Sequence, residues 1–256
     1  MIISHKHQFI FVHCRKVAGS SIKVALAPYL GEEDIVIGSL NEIMESGVKL
    51  NRALKWILAR PKPIAYASAA LLMGKSWPEA ANIGVKAHFR HNLSENPPHP
   101  TAQEISHYFP YAWNNYFKFA FVRNPYERAV SDYFWRSRAA GGDISFLDYL
   151  RLLAEGNDSS GVIHRKGVSN FEMIALDGRI AMDAVGRYEN LEQEFTRITR
   201  MLGLEGIGLD RREKSNPQPI DYGRFYGPAE KELVSEIFAD EISSFGYEFP
   251  YQASWT

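Results

Sequence analysis

Residues 117–122, Phe-Lys-Phe-Ala-Phe-Val, run straight into Arg-Asn-Pro-Tyr-Glu, and no other junction in the chain narrows the choice of fold as far. Six β-prone, mostly apolar residues predict a buried strand. Asn124, Pro125 and Glu127 then supply an N-cap, a proline at the first helical position and an acid at the third, so a helix is expected from Pro125 to about Arg138. The same order appears earlier in the chain. Gln8 to His13 reads as a short strand, and Ser20 to Ala27 reads as a helix with Ile22, Ala25 and Leu26 on one face, ended by Pro28. It appears again later, with a strand over Ala184 to Tyr188 and a helix from about Asn190 to Gly203. Strands that alternate with helices predict an α/β fold with a mainly parallel central sheet and helices on both faces.

Other stretches yield local expectations. Asn92 to Pro100 reads as a loop, and Thr101 with Glu104 forms a capping-box pattern opening a helix through about His107. Leu50, Leu54, Ile57 and Leu58 predict an amphipathic helix broken by Pro61 and Pro63, and the small, apolar Ile64 to Gly74 reads as a helix on a core. Lys49, Arg52, Lys55, Arg60 and Lys62 leave open a surface for a membrane or an anionic acceptor. Pro228 opens a last helix running towards Phe245.

With 256 residues, 45% of them hydrophobic, the chain can bury a sizeable core, and a single domain over 1–256 is expected. Its 29 basic and 30 acidic residues leave a formal charge of -1, which excludes a general electrostatic footprint for nucleic acid and makes any anion site local. One cysteine, Cys14, excludes an internal disulfide and a cysteine-rich zinc site, and it is compatible with a reducing, cytoplasmic setting. No ligand cluster demands a metal. Met1 to His7 lacks the apolar core of a signal peptide, and no uninterrupted apolar run spans a bilayer, so a soluble protein is expected.

Chemistry is concentrated in the loops. Arg15, Lys16, Val17, Ala18, Gly19, Ser20 and Ser21 lie between a strand and a helix, where backbone amides, the positive helix end, one ammonium and two hydroxyls converge. That arrangement suits phosphate, although a plain turn with a surface lysine has the same pattern. Ala69 to Ser76, Ala-Ala-Leu-Leu-Met-Gly-Lys-Ser, also matches a permissive nucleotide-loop pattern, but its bulky interior and the nearby Pro78 make it a helix end instead. Arg123 closes a strand and Ser131 lies two helical turns on, so both could meet one anion, or Arg123 could pair with a neighbouring acid.

Phe-Val-His-Cys-Arg-Lys-Val-Ala-Gly-Ser-Ser-Ile, residues 11–22, together with residues 119–134 from Phe-Ala-Phe-Val-Arg-Asn-Pro to Asp-Tyr-Phe, resembles the sulfotransferases that use 3′-phosphoadenosine 5′-phosphosulfate (PAPS). The resemblance is to the branch with carbohydrate sulfotransferases and short bacterial relatives. Residues 99–105, 185–195 and 236–249 extend it, whereas about 31–85 match no known pattern. Arg15, Val17 and Ser20 stand where the family commonly has proline and two threonines, and Pro98 stands where many relatives have lysine.

The resemblance implies a P-loop-like fold without a metal, and transfer of a sulfuryl group to an acceptor hydroxyl, on a carbohydrate or glycolipid. It assigns the 5′-phosphosulfate to the loop Arg15 to Ser21, with Lys16 as the catalytic cation, and the 3′-phosphate to Arg123 and Ser131. Lys214 and Ser215 fall where relatives often add donor contacts. A histidine is the expected general base. His99 leads because the resemblance puts a histidine of the 99–105 motif near the donor, with His88 and His91 as alternatives. A nucleotide-dependent kinase and a non-catalytic nucleotide-binding protein remain open as other classes.

Overall fold

The computed structural model describes residues 1–140, 144–156, 169–209 and 221–249. Two compact units are present, one built from Met1–Val122 and Met173–Ser215, the other from Arg123–Glu172 and Asn216–Thr256.

The first unit holds a five-stranded sheet of β1 (Ile2–Ser4), β2 (Phe9–Val12), β3 (Ile35–Val36), β4 (Phe117–Val122) and β7 (Ala184–Arg187) in the order β3-β1-β2-β4-β7. β2, β4 and β7 are parallel neighbours. β1 is antiparallel to both β2 and β3, so β3 points the same way as β2. Four of the five strands therefore share one direction, which is the mainly parallel sheet expected from the sequence. β1 and β3 escaped the sequence reading because three and two residues carry no periodicity.

All four residues of β2 are buried, as are Phe119 to Val122 of β4, without the alternation of a half-exposed strand. The Phe11 and Phe119 rings stack at 5.1 Å, on residues that are register partners. Gly186 of β7 is the register partner of Phe121, and a Cβ on it would lie 2.5 Å from that ring. A small hairpin, β5 (Ala175–Leu176) and β6 (Arg179–Ile180), turns through Asp177 and Gly178, both at positive φ as a two-residue hairpin turn requires.

Helices α1 (Gly19–Leu26), α2 (Leu40–Glu45), α3 (Arg52–Leu58), α4 (Pro61–Leu72), α5 (Trp77–Phe89), α6 (Ala102–Tyr108), α7 (Pro110–Asn115) and α11 (Leu191–Met201) flank this sheet. The Thr101 hydroxyl accepts from the Glu104 amide at 3.2 Å while the Glu104 carboxylate accepts from the Thr101 amide at 2.7 Å, completing the capping box. Pro61 and Pro63 do not simply end a helix: they occupy the first turn of α4, where no backbone donor is needed. Residues 69–76 form the end of α4, a turn through Gly74 at φ 79 and the Ser76 cap of α5, as a helix end should.

The second unit is helical: α8 (Pro125–Ala140), α9 (Phe146–Glu155), α12 (Pro228–Ile237) and α13 (Ala239–Phe245); α10 (Asn170–Ile174), which precedes β5, has residues in both units. Tyr126, Val130, Tyr149, Leu150 and Val234 form its core. The expected last helix is in fact two, separated at Phe238 with φ -117. No proline or glycine marks that break. Packing sets it, since Phe238 is buried in the core and the Arg128 guanidinium lies over its ring at 4.4 Å. Arg128 also donates to the buried Glu241 carboxylate at 2.7 Å. Burial nevertheless pushes the Glu241 carboxyl above the usual range, against the pull of Arg128.

Candidate active site

Beyond β2 the chain passes through buried His13 and Cys14 into the turn that opens α1. Lys16 and Ala18 both have positive φ, 60° and 59°, a conformation that residues with a Cβ adopt rarely. The helical ladder begins only where the Ile22 amide donates to the Ala18 carbonyl at 3.1 Å. The amides of the first turn and the positive end of the helix therefore open onto the loop that carries Lys16. Gly19 lies against His13 so closely that a Cβ would come within 1.8 Å of the imidazole ring.

His13 also links the loop to His99. The His99 Nδ1 is 2.8 Å from the His13 carbonyl oxygen, and the two rings lie 4.3 Å apart. A carbonyl can only accept, so Nδ1 must carry the proton and donate it, which leaves the Nε2 lone pair of neutral His99 as the basic site. Burial lowers the His99 pKa well below the ordinary histidine value; the His13 carbonyl opposes this, and the cations Lys23 and Arg15 add to the lowering. His99 is thus kept neutral by its burial and fixed in one tautomer by His13, the residue that enters the phosphate-type loop.

One face of α1 is tied to a second strap of chain. Ser20 Oγ lies 2.9 Å from Ser39 Oγ, and Lys23, one turn later, donates to the carbonyls of Ile37 and Gly38 at 3.2 and 3.0 Å. Lys23 is fully buried, so these carbonyls replace water around its charge. Ser21 is buried and Arg15 and Lys16 are partly so, as befits a loop with a wet side and a packed side.

His88 sits in α5, where burial first, then Arg60 and Lys62, lower its pKa, and its ring meets Phe89 edge-on at 4.8 Å. His91 is exposed just after α5, at φ 72.

In the second unit, Asn124 caps α8 by accepting from the Tyr126 amide at 3.1 Å. Arg123 is buried and donates to the Tyr222 hydroxyl at 2.7 Å and the Glu127 carboxylate at 3.3 Å. Of the partners the sequence allows for Arg123, an anion or a neighbouring acid, Glu127 is in place. Ser131 is half-buried on α8, eight positions after Arg123. Lys214 and Ser215 lie outside the described residues. Among the described residues no group of three His, Cys, Asp or Glu side chains is arranged for a metal ion.

Four neighbours were missed by the sequence reading: His13, Lys23, Ser39 and Tyr222. His13 carried a signal, since it stands directly between a strand and an anion-type loop. The other three are brought in from distant or ordinary positions and had none. As a donor set within the first unit, left-handed loop residues, a helix start, Lys16 and two hydroxyls suit a phosphate-type anion.

No curated protein and no solved structure matches the chain. A family model described as the sulfotransferase family matches residues 1–248, which takes in both units and all the described site residues. With an anion-type loop after β2 and a neutral histidine fixed to its entry, the chain belongs to the sulfotransferase family, enzymes of sulfuryl transfer.

Proposed function

We propose that the protein moves the sulfuryl group of PAPS onto a hydroxyl of a carbohydrate or glycolipid, as in the branch with carbohydrate sulfotransferases and short bacterial relatives. The observation that carries the reading is the His99 Nδ1 contact to the His13 carbonyl, which leaves Nε2 of the buried, neutral ring as the basic atom beside the loop. When bound, PAPS supplies the sulfuryl group and a phosphate as leaving group. Lys16 and the first-turn amides of α1 stabilise charge that grows on that phosphate oxygen. His99 Nε2 takes the acceptor proton as its oxygen attacks in line. Arg123 and Ser131 hold the 3′-phosphate that distinguishes PAPS from ATP.

The family match runs through both compact units, which supports a single sulfotransferase domain over 1–256. A cytoplasmic setting belongs to the same reading, supported by one cysteine, Cys14, which is buried as a free thiol. Incubation with sulfur-labelled PAPS and pooled glycans, lipids and metabolites, followed by identification of the labelled product, tests the proposal. Label on a sugar hydroxyl is expected. Label only on a small metabolite would overturn the acceptor class, and no transfer to any hydroxyl would overturn the donor reading.

A further inference from the structure

α4 is packed the wrong way round for a helix in water. Its inner face is small: Pro63, Ala67 and Ala70 are buried, and the two alanines cluster with Ala80 of α5. The approach is close, since a Cβ on Gly84 would lie 2.8 Å from the Pro63 carbonyl and 3.3 Å from the Ala67 Cβ. Its bulky apolar residues point outward instead. Ile64 and Tyr66 are exposed, and at the tip of the α4–α5 hairpin Leu72 and Met73 are 90% and 82% exposed. A water-facing helix normally presents its polar residues, yet Lys62 is the only charged residue of α4. Trp56 and Trp77, also exposed, flank this surface from α3 and the start of α5.

Charge is polarised over the same region. From α3 to the end of α5, residues 52–89 contain six lysines and arginines and one acid, Glu79, in a chain whose formal charge is -1. Lys55, Lys62 and Lys75 are exposed, and the Arg60 guanidinium covers the Trp56 ring at 3.7 Å. Bulky apolar residues, tryptophans and cations side by side match the layers of a lipid leaflet: hydrocarbon, interface and anionic headgroups.

We infer that the outer face of α3 and α4 and the α4–α5 tip form a docking surface for a membrane leaflet containing anionic lipid. Twelve residues of α4 extend for about 18 Å, short of the ~30 Å hydrocarbon core, and no helix among the described residues is long and apolar enough to cross a membrane. The face therefore lies on the surface, with Leu72 and Met73 inserted below the headgroups. A second copy fits less well, because a two-fold contact would set the same cations against each other. A nucleic acid would meet the cations and leave Leu72 and Met73 in water. The inference does not depend on the donor or the acceptor of the reaction.

Flotation of the full chain with vesicles of phosphatidylcholine alone, and of phosphatidylcholine mixed with phosphatidylglycerol, tests it. Binding to the mixed vesicles is expected, weakened by added salt. Leu72→Ser with Met73→Ser, and separately Lys55→Glu with Lys62→Glu, should each reduce that binding by roughly tenfold or more. These side chains are exposed, so circular dichroism and thermal melts should match the unaltered protein. No binding to the mixed vesicles, equal binding to both kinds, or binding unchanged by both variant pairs would overturn the inference. So would a concentration-dependent dimer that Leu72→Ser with Met73→Ser abolishes, which would assign the face to a second copy.

Discussion

Gly19 packs against the His13 imidazole with no room for a Cβ, and the carbonyl of that same His13 accepts a hydrogen bond from Nδ1–H of His99. The first residue of α1 and the basic histidine are therefore connected through one intermediate residue. A change at either end should be felt at the other.

Gly19→Ala should be unfavourable although alanine normally favours a helix. The added methyl must displace the His13 ring, an overpacking of the kind that costs ~1–3 kcal/mol. A lower Tm is expected, together with a turnover loss larger than any loss of PAP (3′-phosphoadenosine 5′-phosphate) affinity. An unchanged Tm and unchanged turnover would show that His13 can move aside freely.

His99→Ala should keep PAP affinity and lower turnover by about a hundredfold or more, the usual scale for a general base. Because burial depresses its pKa, His99 stays neutral as pH falls through 6.5, and the acid limb of kcat should lie below that value. The sign for stability follows from the same shift. The unfolded chain takes up the proton first, so this contribution is intact above pH 6.5 and is lost as pH falls below it. An acid limb centred at or above pH 6.5, or full activity in the alanine variant, would remove His99 from this role.

Lys16→Ala should leave a folded protein whose kcat falls far more than its PAP affinity. Removing one electrostatic donor from a developing oxyanion costs ~2 to 4 kcal/mol in the transition state. Steady-state kinetics beside calorimetric titration of PAP separate the two effects. An equal loss in both would make Lys16 a binding residue only.

Arg123→Ala should weaken PAP by roughly ten- to a hundredfold and hardly affect AMP, which lacks the 3′-phosphate. Ser131→Ala should act in the same direction, less strongly. Since Arg123 already donates to Tyr222 and Glu127, a thermal melt must accompany the titration. Equal affinity of the unaltered protein for PAP and AMP would count against the donor. Selectivity that survives both substitutions would count against these two residues.

Short-range order was legible because it is written in contiguous residues. The apolar runs of β2 and β4, the Asn124 and Thr101 caps and the positive-φ glycine after α11 act within a few positions of themselves, and the structure has each of them. What needed the tertiary structure spans distance along the chain. His99 meets His13 across 86 positions, and Ser20 meets Ser39 across 19, because the β2–α1 turn and two later loops converge at one end of the first unit's sheet. The break at Phe238 and the outward bulk of α4 belong to the same class. Each depends on which neighbour a side chain finds, Arg128 and a core in one case, the small face of α5 in the other, and periodicity does not encode the identity of a partner.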